Sequence, residues 1–172
     1  MPEQGSRWHA VTGHAKLRGD EVSRALYTLL AGFHASAPLR ALASSDESSD
    51  PIACLLDENE EELLQERLIY AAVRIRIMDD YLWAQNPKYR DSSKRWIVGW
   101  MTVRGPRKEP LNLREACNKI IHAKLLNWNR TKIEGLGGPL LPSVYLYGKK
   151  DKKGWRCFVD VVEFCRRAYF VC

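Results

Sequence analysis

From Asp57 to Gln85 the chain places apolar residues at steps of three and four: Leu63, Leu64, Leu68, Ala71, Ala72, Ile75, Met78 and Leu82. That period predicts one long amphipathic helix, whose apolar stripe must be covered by other elements. The acidic run Asp57, Glu58, Glu60, Glu61 and Glu62 falls at its expected start, where the helix dipole favours negative charge, and Pro87 bars continuation. Arg76 and Asp80 stand four apart and can pair on the surface. With Arg74 and Asp79 they form a charged cluster. It is expected to be a surface ion-pair network rather than a metal site, because adjacent carboxylates on a helix point about 100° apart.

The remaining segments fix the class. Asp20 can cap a helix through Leu26, Leu29, Leu30 and Phe33, ending near His34. Residues 41–51, small and polar and ended by Pro51, read as a linker or flexible loop. Trp96 to Val103 is β-branched and aromatic and reads as a strand, followed by a loop from Arg104 to Pro110. Asn112, with Glu115 three residues on, makes a capping-box pattern for a helix to about Asn127. The glycines and prolines of 135–142 read as a turn-rich connection. Ser143–Tyr147 and Trp155–Val159 read as a hairpin around Gly-Lys-Lys-Asp-Lys-Lys-Gly, and Val161–Tyr169 as a closing helix. The expected fold is α+β, a single domain over 1–172. A helical core carries the long helix and the 112–127 helix, and a small antiparallel sheet from 96–103 and 143–159 attaches to it.

Composition excludes little but useful ground. With 45% hydrophobic and 28% charged residues the chain is neither disordered nor a disulfide miniprotein. No basic-then-apolar leader opens the sequence, and the five cysteines include no Cys-x-x-Cys pair. The expectation is a reducing cytoplasmic compartment, free thiols, and no metal, cofactor or membrane. The net charge of +6 is uneven: residues 1–60 balance to −4 and residues 61–172 to +10. A basic C-terminal two-thirds favours an anionic partner, nucleic acid first among them. Lys149, Lys150, Lys152 and Lys153 crowd the hairpin tip beside Tyr145, Tyr147 and Trp155. Charge plus stacking of this kind can hold single-stranded nucleic acid, and a solvated turn accounts for the lysines equally well. Arg95 and Arg107, with Lys88, Arg90, Lys94, Arg104 and Lys108 near them, could extend the patch.

The segment Leu-Arg-Glu-Ala-Cys-Asn-Lys-Ile-Ile-His, residues 113–122, carries the most chemistry. Its core-facing set is Leu113, Ala116, Cys117, Ile120, Ile121 and the stem of Lys124. Arg114, Asn118 and His122, spaced by four, lie within about 80° of one another on one helical stripe. An imidazole moves protons near neutral pH, a guanidinium forks onto a phosphate, and an amide orients either. The same spacing also suits polar groups that merely tie the helix to its neighbours. Cys117 and His122 point about 140° apart and make no nucleophile–base pair.

This segment resembles the signature helix of the HEPN superfamily. The resemblance implies a mostly helical, usually dimeric protein whose paired motifs cleave RNA without metal, as in many defence and toxin–antitoxin ribonucleases. By it, His122 matches the family histidine and Asn118 the polar residue, with Arg114 the nearest upstream arginine. Cys117 stands where the family pattern has Arg. The implied reaction is attack of the 2′-hydroxyl on the adjacent phosphorus, with departure of the 5′-oxygen. His122 would move the proton, Arg114 would stabilise the phosphoryl charge and Asn118 would orient the groups. The alternative is a non-catalytic accessory subunit that binds nucleic acid or a partner protein.

Overall fold

A computed structural model describes residues 19–43, 50–103, 105–133, 136–150 and 153–172. Within them the fold is α+β, with five helices and a five-stranded antiparallel sheet. The helices are α1 (Gly19–Arg40), α2 (Pro51–Gln85), α3 (Pro87–Ser93), α4 (Leu113–Ile121) and α5 (Val161–Ala168). The strands are β1 (Ile97–Val103), β2 (Glu109–Asn112), β3 (Leu125–Ile133), β4 (Leu136–Lys150) and β5 (Lys153–Asp160), in the order β2-β1-β5-β4-β3.

The long helix begins six residues before its expected start. Asp50 caps it, accepting from the Ile52 and Ala53 amides at 2.7 and 3.3 Å, and Pro51 takes the first helical position, where no N–H is needed. Of the 41–51 linker, residues 41–43 form the turn that closes α1, 51 is helical, and 44–49 lie outside the described residues. The acidic run therefore sits beyond the first turn, away from the dipole. Part of it docks the helix instead: Asp57 and Glu60 each bind Arg40 at 3.0 Å, and Glu61 binds Arg130 of β3 at 2.8 Å.

α1 runs on past His34 to Arg40, burying Val22, Ala25, Leu26, Leu29 and Phe33. Buried Ser36 accepts from the Leu140 amide at 2.8 Å, which fixes α1 to β4. α2 buries Leu64, Leu68, Ala71, Ala72, Ile75 and Met78, as its period predicts, whereas Leu63 stays exposed. These side chains join Leu111, Val144, Leu146, Trp155, Cys157 and Val159, from one face of the sheet, and Val98, at the register shift between β1 and β2, in a single core.

The sheet is larger than the sequence suggests. Asn112 caps α4 as expected, accepting from the Glu115 amide at 2.9 Å, but the helix stops at Ile121 instead of near Asn127. The Lys124 amide donates to Tyr147 at 2.8 Å and Leu125 pairs with Tyr147, so strand pairing takes the residues a longer helix would have used. Residues 136–142, expected to be a connection, are the first half of β4. Pro139 and Pro142 fall where the β3–β4 register shifts, so the ladder does not need their missing N–H groups. At Gly138 a Cβ would lie 2.0 Å from the Thr131 carbonyl, a closeness only glycine permits. Pro110, expected in a loop, lies in edge strand β2, opposite Trp100. Among the described residues no helix is long and apolar enough to cross a membrane.

Candidate nucleic-acid interface

α4 presents Arg114 and Asn118 to α2. The Arg114 guanidinium forks onto two consecutive carboxylates, Asp79 and Asp80, and its Cζ lies 4.7 Å from the Trp83 ring centroid. Asp79 is buried, and its other oxygen accepts from the Tyr89 hydroxyl at 2.6 Å. Asp80 also pairs with Arg76, whose Nε donates to Asn118 Oδ1 at 2.8 Å. Asn118 Nδ2 in turn donates to Glu115 at 3.3 Å. Three of the four charged residues of α2, Arg76, Asp79 and Asp80, thus form an ion-pair network that clips α2 to α4, with Asp79 buried, whereas Arg74 pairs with Glu21 of α1 at 3.5 Å.

His122 is not drawn into that ladder. It caps the C-terminus of α4, its amide donating to the Asn118 carbonyl at 3.1 Å, and its exposed imidazole makes no hydrogen bond to a described residue. Leu113, Ala116, Cys117 and Ile120 form the buried face, Ile121 is half-buried, and Lys124 is exposed. Burial, and then the charge of Asp79, push the Cys117 thiol far above its ordinary value, so it stays protonated. The Tyr89 hydroxyl is likewise pushed up by burial and by its bond to Asp79.

The basic positions divide between the two ends of the sheet. Lys149 and Lys153 are exposed near the tip of the β4–β5 hairpin, where Lys150 and Lys153 are register partners. Lys152 lies outside the described residues. Val103 pairs with Trp155, so the β1–β2 connection that carries exposed Arg107 and Lys108 leaves the sheet at that same end. Arg95, also exposed, precedes β1 at the other end. Trp155, expected beside the lysines as a stacking group, points into the core at 6% exposure, with Lys119 Nζ 4.8 Å from its ring.

The strand register shows what lies between the two ends. Side chains alternate across a strand, and register partners share a face. Opposite the core-facing residues lies the row Pro110, Trp100, Phe158, Tyr145 and Asn127, followed by the row Thr102, Arg156, Tyr147 and Leu125. None of these nine side chains is buried, and none is a carboxylate. Trp100 stacks on Phe158 at 5.7 Å, and Tyr145 meets both rings edge-on at 6.0 and 5.4 Å. Lys108 Nζ lies 4.3 Å from the Trp100 centroid, and Arg156 Cζ lies 5.4 Å from Trp100 and 5.8 Å from Tyr145. Asp160, one row further along, is committed to capping α5.

Sequence reasoning singled out Tyr145 and Lys108 but missed Trp100, Phe158 and Arg156 as surface groups. Both faces of β5 carry large apolar side chains, so alternation alone does not tell inside from outside. The signal is the pairing of β1 with β5, which is non-local. Comparison with known families, with curated proteins and with solved structures finds no match to this chain.

Proposed function

We propose that this chain binds RNA, or another nucleic acid, on the open face of its sheet and does not cleave it. One observation carries the reading: two outward rows without a carboxylate, on which Lys108 and Arg156 lie against aromatic rings, with Lys149, Lys153 and Arg107 at their basic end. Within those rows the cations meet phosphate with no carboxylate among their register partners. The resemblance of 113–122 to the HEPN helix fits a non-catalytic relative, since Arg114 is neutralised by two carboxylates and Asn118 is held by Arg76. The test is titration of fluorescently labelled RNA with the full chain at 50 and 200 mM salt. Three phosphate contacts weaken single-strand binding about 10- to 20-fold over that range. Arg156→Glu and Lys108→Glu each lower both the affinity and the salt dependence. Absence of RNA binding at 50 mM salt refutes the proposal.

A second reading, a metal-independent ribonuclease, is favoured by one feature: His122 is exposed and unpartnered by described side chains, one turn beyond Asn118. One imidazole cannot easily serve as both acid and base, so this reading needs a homodimer that brings two motifs together. Cleavage without metal, leaving 2′,3′-cyclic phosphate ends and lost in His122→Ala, would establish it in place of simple binding.

A further inference from the structure

We infer, resting on the nucleic-acid reading above, that the ligand of this face is a single strand whose bases stack on Trp100 and Tyr145 while Arg156 and Lys108 take its phosphates. Outward positions of an antiparallel sheet with one covered face are polar by default. Here the outward positions at one register on three adjacent strands are all aromatic, Trp100, Phe158 and Tyr145. They are half-buried by leaning on one another at 5.4 to 6.0 Å. Aromatic rings left on a solvated face offer what unpaired bases bind to and a duplex keeps covered.

The cations support the same ligand. Lys108 rests on the Trp100 ring at 4.3 Å from a connection outside the strands. Its flexible stem lets the ammonium lift away when a base arrives, and the charge it carries is then beside that base's phosphate. Arg156 lies between Trp100 and Tyr145, within 6 Å of each ring centroid. It can stack on a base or fork onto a phosphate from one position. The competing ligand is a duplex. A broad sheet face cannot enter a groove, but the two-stranded β4–β5 tip with its lysines could. In that mode the rings, inboard of the tip, would contribute nothing.

The experiment follows fluorescence anisotropy of a labelled 12-nucleotide RNA without self-complementarity and of the 12-base-pair duplex made from it. Wild-type chain, Trp100→Leu, Tyr145→Leu and Lys149→Glu are titrated at one salt concentration, after unfolding midpoints show each to be folded. The single strand should bind at least tenfold tighter than the duplex. Trp100→Leu and Tyr145→Leu should each weaken single-strand binding about fivefold or more and leave duplex binding unchanged. If Trp100→Leu does not fold, Tyr145→Leu decides. Equal binding of the two ligands, lowered by Lys149→Glu and untouched by the ring substitutions, overturns the stacked single strand while nucleic-acid binding stands. No binding of either ligand overturns both.

Discussion

Asp79 of α2 holds Arg114 of α4 from a position closed to water, its side chain 3% exposed against 25% for the arginine. One carboxylate oxygen takes the guanidinium and the other takes the Tyr89 hydroxyl. The strongest polar group of α4 is therefore spent on joining two helices. Arg76 and Asn118 repeat the arrangement one turn along.

Removing Arg114 should cost stability before it costs any activity. Arg114→Ala leaves the buried Asp79 with Tyr89 as its remaining hydrogen-bond donor. Breaking a buried pair from one side costs about 3–5 kcal/mol, and partial access of water to Arg114 places this case at about 3. Arg114→Lys recovers part of the loss, since it restores the charge but not the fork. Urea unfolding of the two variants measures this. A midpoint unchanged in Arg114→Ala would show that the pair holds nothing together.

Asp80 gives the acid side of the stability profile a specific slope. Burial pushes its carboxyl up, and hydrogen bonds from Arg76 and Arg114 more than reverse that, so it sits below the usual carboxylate range. A group with a folded value below its unfolded value stabilises the fold above the unfolded value, about 3.9 for Asp, and loses that contribution as pH falls through the folded one. Asp80→Asn is therefore less stable than wild type near pH 6, and the two unfolding midpoints converge below about pH 4. A constant gap between the curves from pH 6 to pH 2 would count against the ladder.

The sequence made the local devices legible and hid the distant ones. The Asn112 cap, the β4–β5 hairpin, α5 and the buried stripe of α2 each depend on neighbours within a few turns, and all are where their residues put them. Leu125 to Asn127 have helical spacing in sequence but a strand partner twenty residues on, and the partner prevails. The spacing of Arg114, Asn118 and His122 is plain in the sequence. What binds the first two lies 35 and 42 residues earlier and is not. The aromatic row is hidden for the same reason, because Trp100 and Phe158 become neighbours only when β1 pairs with β5.

The five cysteines should separate by burial. Cys54 is exposed, while burial pushes Cys157, Cys165 and Cys172 up to about 12 and Cys117 further still. Thiolate is the reactive form, so Ellman's reagent at pH 8 should find one fast thiol in the native chain and five after denaturation. Cys54→Ser should remove the fast phase. A second fast thiol in that variant would mean that half-buried Cys172 reacts in place or that one of the three buried positions opens readily to solvent.

Gly99 ties the open face to the stability of the sheet. A Cβ there would lie 1.9 Å from the Phe158 carbonyl oxygen and 3.2 Å from the Val159 Cα, so an alanine must push β1 away from β5. Overpacking typically costs about 1–3 kcal/mol, and this site falls at the upper end because the obstacle is backbone. The same displacement parts Trp100 from Phe158, its register partner. Gly99→Ala should therefore lower the unfolding midpoint and weaken single-strand binding even at a temperature where it is fully folded. Gly154→Ala is the control: it lies on β5, no atom waits within 4 Å of its Cβ, and surface changes of this kind stay within about 0.5 kcal/mol. Equal midpoints for the two variants would mean that β1 and β5 do not approach as closely as the register requires. A destabilised Gly99→Ala with undiminished affinity would instead detach binding from the Trp100–Phe158 pair.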